Sequence, residues 1–199
     1  MRFQSYGVAG VLTACLMSVP ALANSTGITG YSGKTAQTCT TCHSGGAAPT
    51  VEISGPDSLQ AGATGNYTLI IRGGAGVKGG FDVAVDNTAA TLAAGTGSKL
   101  QSGELTHTAP KPASGGEIRF DFSLVAPQSA GSVKIFGAGN SVNGDGAVTL
   151  DNSATTSKTV TITAAPEEDT GGCSATGGAP VMLFSLLAGT MTLLRRRRA

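Results

Sequence analysis

Three residues stand close enough together in this sequence to do chemistry, in the run Cys39-Thr40-Thr41-Cys42-His43. The C-x-x-C-H spacing is that of c-type haem attachment, and the reason is physical. Two thiols three positions apart reach the two vinyl groups as thioethers, and the adjacent imidazole reaches the iron from the proximal side. Cys39 and Cys42 are therefore the candidate attachment residues and His43 the candidate axial ligand, with haem c as the cofactor. The sequence holds four cysteines, of which Cys15 lies in an N-terminal apolar run and Cys173 in a C-terminal signal. That leaves no partner for a long-range disulfide. Two other fates stay open for the pair outside the cytoplasm: a local Cys39–Cys42 disulfide, and metal binding together with His43. No βαβ pattern surrounds the motif, which speaks against a thioredoxin-like oxidoreductase.

A second axial ligand can be sought by counting. Between Asn24 and Cys173 there is no methionine, and the only other histidine is His107. His107 is the candidate sixth ligand, and bis-histidine ligation would give a low-potential electron-transfer haem. Lys34 or water are the other occupants of that position. Further on, Asn140-Ser141-Val142-Asn143-Gly144-Asp145-Gly146, with Asp151 beyond, sets oxygen side chains among glycines. Asn143, Asp145 and Asp151 are candidate Ca²⁺ ligands, although the spacing and terminal Glu of an EF-hand loop are missing and the same pairs are common hairpin turns. No Ser-His-Asp arrangement is present, and the expectation is a protein that is not an enzyme.

The elements that would position these groups lie between two terminal signals. Arg2 is followed by an apolar stretch and by Ala21-Leu22-Ala23 before Asn24, the pattern of a secretory signal peptide over 1–23. A second reading takes Leu12-Thr13-Ala14-Cys15 as a lipoprotein box with lipid on Cys15. At the other end, Gly172-Cys173 precedes the apolar run 179–194 and Arg195 to Arg198. That run would be a helix of about 24 Å, a marginal span of a hydrocarbon core of about 30 Å. The arginines would hold its end in the cytoplasm, leaving the body outside the inner membrane. Removal of both ends leaves 8 Lys+Arg against 12 Asp+Glu, a net charge of −4. An acidic body without a basic stripe excludes nucleic acid as an expected partner.

Residues 24–49 are rich in Gly, Ser and Thr without apolar periodicity and read as an irregular segment that something else must order. From Thr50, short β-branched and aromatic runs alternate with turn residues: Thr50 to Ile53, Tyr67 to Arg72, Phe81 to Val85, Ile118 to Val125, Val133 to Phe136 and Thr159 to Thr163. This predicts an all-β sandwich over 50–163. In Ile118-Arg119-Phe120-Asp121-Phe122 the apolar side chains alternate toward the core and the charges toward water, and Val83 and Val85 alternate with Asp82 and Asp86 in the same way. Residues 164–178 read as a stalk and sorting motif, and 179–199 as the membrane helix with its arginine cluster.

The body, from Gly27-Ile28-Thr29-Gly30 through the C-T-T-C-H motif to Asp151, resembles the bacterial choice-of-anchor V domain, a relative of the Reeler domain. The likeness is carried by Cys39, Cys42 and His43, by Gly79-Gly80-Phe81, Leu105-Thr106-His107-Thr108, Phe120-Asp121-Phe122 with Ala126-Pro127, and by Gly139-Asn140 with Asn143-Gly144-Asp145-Gly146. Leu124 stands where that pattern expects Trp. The resemblance implies an immunoglobulin-like sandwich displayed at the cell surface, with no defined activity. The tail from Gly171 to Ala199 resembles the MYXO-CTERM sorting signal, which implies cleavage near Cys173 by a sortase-like membrane protease and attachment through that residue.

Together these expectations describe an exported protein at the cell surface or outer membrane, or else on the periplasmic face of the inner membrane. It would carry a covalent haem for electron transfer or haem-based sensing and have a redox or surface partner. The alternative is an adhesion or structural surface module with a Cys39–Cys42 disulfide.

Overall fold

The computed structural model describes residues 24–166. The signal peptide, most of the stalk, the Gly172-Cys173 motif and the apolar tail lie outside them. Among the described residues, no helix is long and apolar enough to cross a membrane.

The described chain is all-β. A single 3-10 turn, Cys39–Thr41, precedes twelve strands: β1 (Ser44–Gly45), β2 (Pro49–Ser54), β3 (Ser58–Gln60), β4 (Thr64–Gly73), β5 (Lys78–Val85), β6 (Thr91–Ala94), β7 (Ser98–Gln101), β8 (Glu104–His107), β9 (Lys111–Pro112), β10 (Glu117–Val125), β11 (Gly131–Val142) and β12 (Thr149–Thr163). They form two sheets. One runs β2-β4-β10-β6; the other runs β1-β12-β11-β5-β8-β7, with β3 added on β12 and β9 on β5.

The sheets pack face to face because their strands alternate as the sequence predicts. In β10, Ile118, Phe120, Phe122 and Leu124 are buried while Arg119 and Asp121 are exposed. They join Tyr67, Leu69 and Ile71 of β4 against Phe81 and Val83 of β5, Val133 and Ile135 of β11, and Val160 and Ile162 of β12. Phe120 lies stacked on Phe81 across the two layers, with ring centroids 4.3 Å apart. The six predicted runs all fall within strands. The structure adds β1, β3, β6, β7, β8 and β9 and extends β11 and β12 well beyond the predicted runs. Those extensions are rich in Gly, Ala, Ser and Thr and carry no alternation of large apolar residues to read.

One expectation is overturned. Asp82 alternates with core valines as predicted, but it does not face water: it is 1 % exposed. The reason is that residues 24–46 lie as a strap across the outer face of the larger sheet. Gly27 sits against Thr106 and His107 of β8, Gly30 and Tyr31 reach Glu104 and Asp82, Lys34 Nζ donates to the Val85 carbonyl, and Gly46 N–H donates to the Asp151 carbonyl. The strap therefore crosses from β8 over β5 to β12. It explains why the buried polar residues Ser32, Asp82, Thr106, Asn140 and Asp151 exist at all in so small a protein. Gly27 is required where it stands: its φ is 81°, and a Cβ there would meet the Thr106 methyl at 2.8 Å and still closer atoms of the same strand.

Candidate haem-attachment site

The C-x-x-C-H motif forms one helical turn. Thr41 N–H donates to the Thr38 carbonyl, and both Cys42 and His43 N–H donate to the Cys39 carbonyl, the last at 3.0 Å. Residues three and four apart on such a turn share a face. Cys39, Cys42 and His43 accordingly line one cavity of about 450 Å³, closed on the other side by β5, His107 and the loop ending β11. The strap supplies one wall and the outer face of the sheet the other.

His43 is held from behind. Its Nδ1 lies 2.9 Å from Oδ2 of Asp151, whose side chain is fully buried. The other Asp151 oxygen accepts from the Asn143 N–H at 2.9 Å. With Nδ1–H given to the carboxylate, the lone pair of the neutral ring sits on Nε2, the nitrogen that ligates iron.

The two thiols differ. Cys42 is exposed, whereas Cys39 is partly buried and is not paired with it in a disulfide. Burial pushes the Cys39 thiol up to about 12, and the nearby Asp82 charge adds to that. These features fit haem attachment: two separate thiols and one oriented imidazole share a cavity wall.

His107, expected as the sixth ligand, does line the same cavity. Its ring lies over Gly80, where a Cβ would come within 2.8 Å of Nδ1 and closer still to Cε1. That Nδ1 accepts a hydrogen bond from Phe81 N–H at 3.2 Å. Burial lowers the His107 pKa. With Nδ1 accepting from Phe81 N–H, the proton of the neutral ring sits on Nε2, the tautomer that cannot ligate through Nε2 without rearrangement. Lys34, the other protein ligand considered, is engaged at 2.7 Å by the Val85 carbonyl.

The oxygens considered for Ca²⁺ accept hydrogen bonds within the protein. Asn143 Oδ1 accepts from Asp145 N–H, Asp145 accepts from Asn143 Nδ2 and Ala147 N–H, and Asp151 serves His43 and Asn143. Asn143 to Ala147 is a side-chain-braced turn. Among the described residues, no group of three or more His, Cys, Asp and Glu is arranged to hold a metal ion.

Sequence reasoning did not single out Asp82, Glu104 or Asn140 as site residues: it turned Asp82 toward water and met Asn140 only within the glycine-rich oxygen segment. Asp82 Oδ2 accepts from Tyr31 N–H at 2.6 Å, while its Oδ1 is buried without a hydrogen-bond partner. Burial pushes the Asp82 carboxyl up to about 8, with the Glu104 charge and side chain adding to the rise and the Tyr31 N–H opposing it. Asn140, on the neighbouring strand, also carries a buried Oδ1 with no partner, and both residues line the cavity. The one signal that could have flagged them is the excess of polar residues at outward positions of strands flanked by glycine, Gly79-Gly80 and Gly139.

No protein-family model matches the chain, and no curated protein matches it. Among solved structures it is similar to the PKD domain of an M14-like peptidase from Thermoplasmatales archaeon SCGC AB-540-F20. The two share 16 % identity, and the match covers 57 % of this chain and 94 % of that one, with a TM-score of 0.36.

Proposed function

We propose that this chain is an exported, surface-anchored, immunoglobulin-like β-sandwich protein that carries a covalent c-type haem between its N-terminal strap and its larger sheet. The observation that supports this most is the geometry of the motif: Cys39, Cys42 and His43 share one cavity wall, and Asp151 fixes the His43 tautomer at 2.9 Å. Cys39 and Cys42 would carry the thioethers, His43 would be the proximal ligand, and Asp151 would orient it. A haem bound there supplies one-electron redox chemistry and an iron able to bind small ligands. The protein's own part is to cover the porphyrin with the strap, Ile28 and Val142 and to exclude water from its buried edge. Electron transfer or ligand sensing at the cell surface is the resulting role, with attachment through Cys173 after processing of the tail.

The test is expression of the full chain into a periplasm equipped for haem ligation. A peroxidase-stainable band that survives denaturation and is lost in Cys39→Ser/Cys42→Ser is the expected result. A colourless protein from the same cells, with Cys39 and Cys42 oxidised to each other, would overturn the haem reading and leave the adhesion module.

A further inference from the structure

The strap is held unlike the rest of the fold. Between residues 24 and 46 only Gly27 and Ser32 are buried, and none of its side chains belongs to the core shared by the two sheets. An element without buried apolar contacts opens at a lower free energy than the domain it lies on, so its seat depends on polar bonds. Two of those bonds run from consecutive amides to carboxyl groups on neighbouring strands. Gly30 N–H donates to Glu104 of β8, and Tyr31 N–H donates to Asp82 of β5 at 2.6 Å. Asp82 is buried, and its second oxygen has no hydrogen-bond partner. Among the described residues, neither carboxyl is paired with a Lys, Arg or His. Two neighbouring carboxyl groups, one of them buried, resist ionising together. A single proton held between them removes the repulsion and gives Asp82 Oδ1 the partner it lacks.

We infer that the strap is a proton-dependent clasp: one proton shared by Asp82 and Glu104 seats it, and loss of that proton frees the segment from Asn24 to Lys34 and opens the cavity wall that Ile28 and Tyr31 form. The sandwich beneath stays folded, because its core contains nothing from the strap. The clasp is independent of what occupies the cavity. Its direction follows from linkage. Burial, with the Glu104 charge adding to it, raises the Asp82 pKa in the closed state to about 8, against 3.8 for a hydrated carboxyl. Opening therefore releases a proton, becomes about tenfold more favourable per pH unit between those values, and levels off above them. The other groups around the pair act differently. Burial lowers the His107 pKa on β8, so His107 would open the strap in acid. Burial raises the Cys39 thiol of the strap turn from 9.0 to about 12, so it would act only in stronger alkali. Lys34 of the strap donates to the Val85 carbonyl, Lys99 of β7 acts on the His107 ring, and β11 sets only Ala138 opposite Asp82.

The test is amide hydrogen exchange of the full chain between pH 5 and pH 9, read as protection factors, which remove the intrinsic pH dependence of exchange. Protection of the Gly30 and Tyr31 amides is expected to fall about tenfold per pH unit and to level off above about pH 8. At every pH it should stay far below that of the core strand β10. Asp82→Asn keeps a donor toward Glu104 and has no proton to lose, so its strap protection is expected to be level across the range. Glu104→Gln replaces the repelling charge by an N–H donor and should flatten the slope as well. Strap protection that does not fall with pH in the wild type, or that falls with the same slope in either variant, overturns the inference. Strap protection equal to that of β10 overturns it too, by making release a part of global unfolding. A loss that appears in acid overturns the assignment to Asp82 and gives the clasp to His107. The slope is read on the wild-type chain, so the inference stays exposed if neither variant folds.

Discussion

His43 and Asp151 lie 108 residues apart in the chain and meet at 2.9 Å, with the carboxylate fully buried behind the ring. The contact ties the Cys39–His43 turn of the strap to the long C-terminal strand. In the haem-loaded protein, Asp151→Asn is expected to raise the midpoint potential, because a carboxylate on Nδ1–H makes Nε2 a stronger donor and favours the ferric state. Asp151→Ala should also cost about 1–3 kcal/mol in urea melts by stranding buried donors. An unchanged potential in Asp151→Asn would show that the carboxylate does not act on the ligand.

Asp82 predicts an alkaline weakness. Its folded-state pKa of about 8 lies above the ordinary 3.8. The native state therefore keeps a proton that the unfolded chain releases, and stability from this source falls as pH rises between those values. Asp82→Asn mimics the protonated form and donates toward Glu104. It should be more stable than the wild type at pH 9 by at least about 1.4 kcal/mol, the worth of one pKa unit, with the gap closing toward pH 4. Urea midpoints at pH 4, 7 and 9 check this, and a gap that does not grow with pH would sink it.

Gly80→Ala should loosen the strap. The new methyl would collide with the His107 ring, which is itself hydrogen bonded to Phe81. A loss of about 1–3 kcal/mol is expected from the forced displacement, along with faster amide exchange or proteolysis in residues 24–46. Undiminished protection of the strap would mean that the His107 ring is free to move aside.

Phe120→Ala tests the core. The residue is fully buried and stacked on Phe81. The expected loss is about 3–5 kcal/mol by urea melts, and a loss under about 1 kcal/mol would contradict the face assigned to β10.

Processing at both ends is expected from Ala21-Leu22-Ala23 and Gly172-Cys173. Intact mass of the surface form decides it. A species that still carries Arg195 to Arg198 would make the tail a plain membrane anchor.

How much of this was legible follows from what alternation can encode. Ile118, Phe120 and Phe122 announce their face because each is large and apolar with a charge between. Asp82 carries the same pattern, yet its burial is invisible in β5 itself, since alternation says which way a side chain points and nothing about what later covers that face. The motif at Cys39 to His43 was legible from spacing, and His107 from counting. The hydrogen bond from Phe81 that sets the His107 tautomer was not, because it depends on where β8 leaves the sheet. Asp151 was noticed as an oxygen donor, but its partner, far away in sequence, could only be found in space.

The strap is the first part of the described chain to be made and the last that can be seated. Its anchoring groups, Asp82, Glu104, His107 and Asp151, all come later in the sequence, the last of them 108 residues after His43. Synthesis delivers Cys39 and His43 long before the surface they pack against exists. The fold thus contains a waiting period in which the turn from Cys39 to His43 has nothing to pack against, and its close is set by completion of the C-terminal strand.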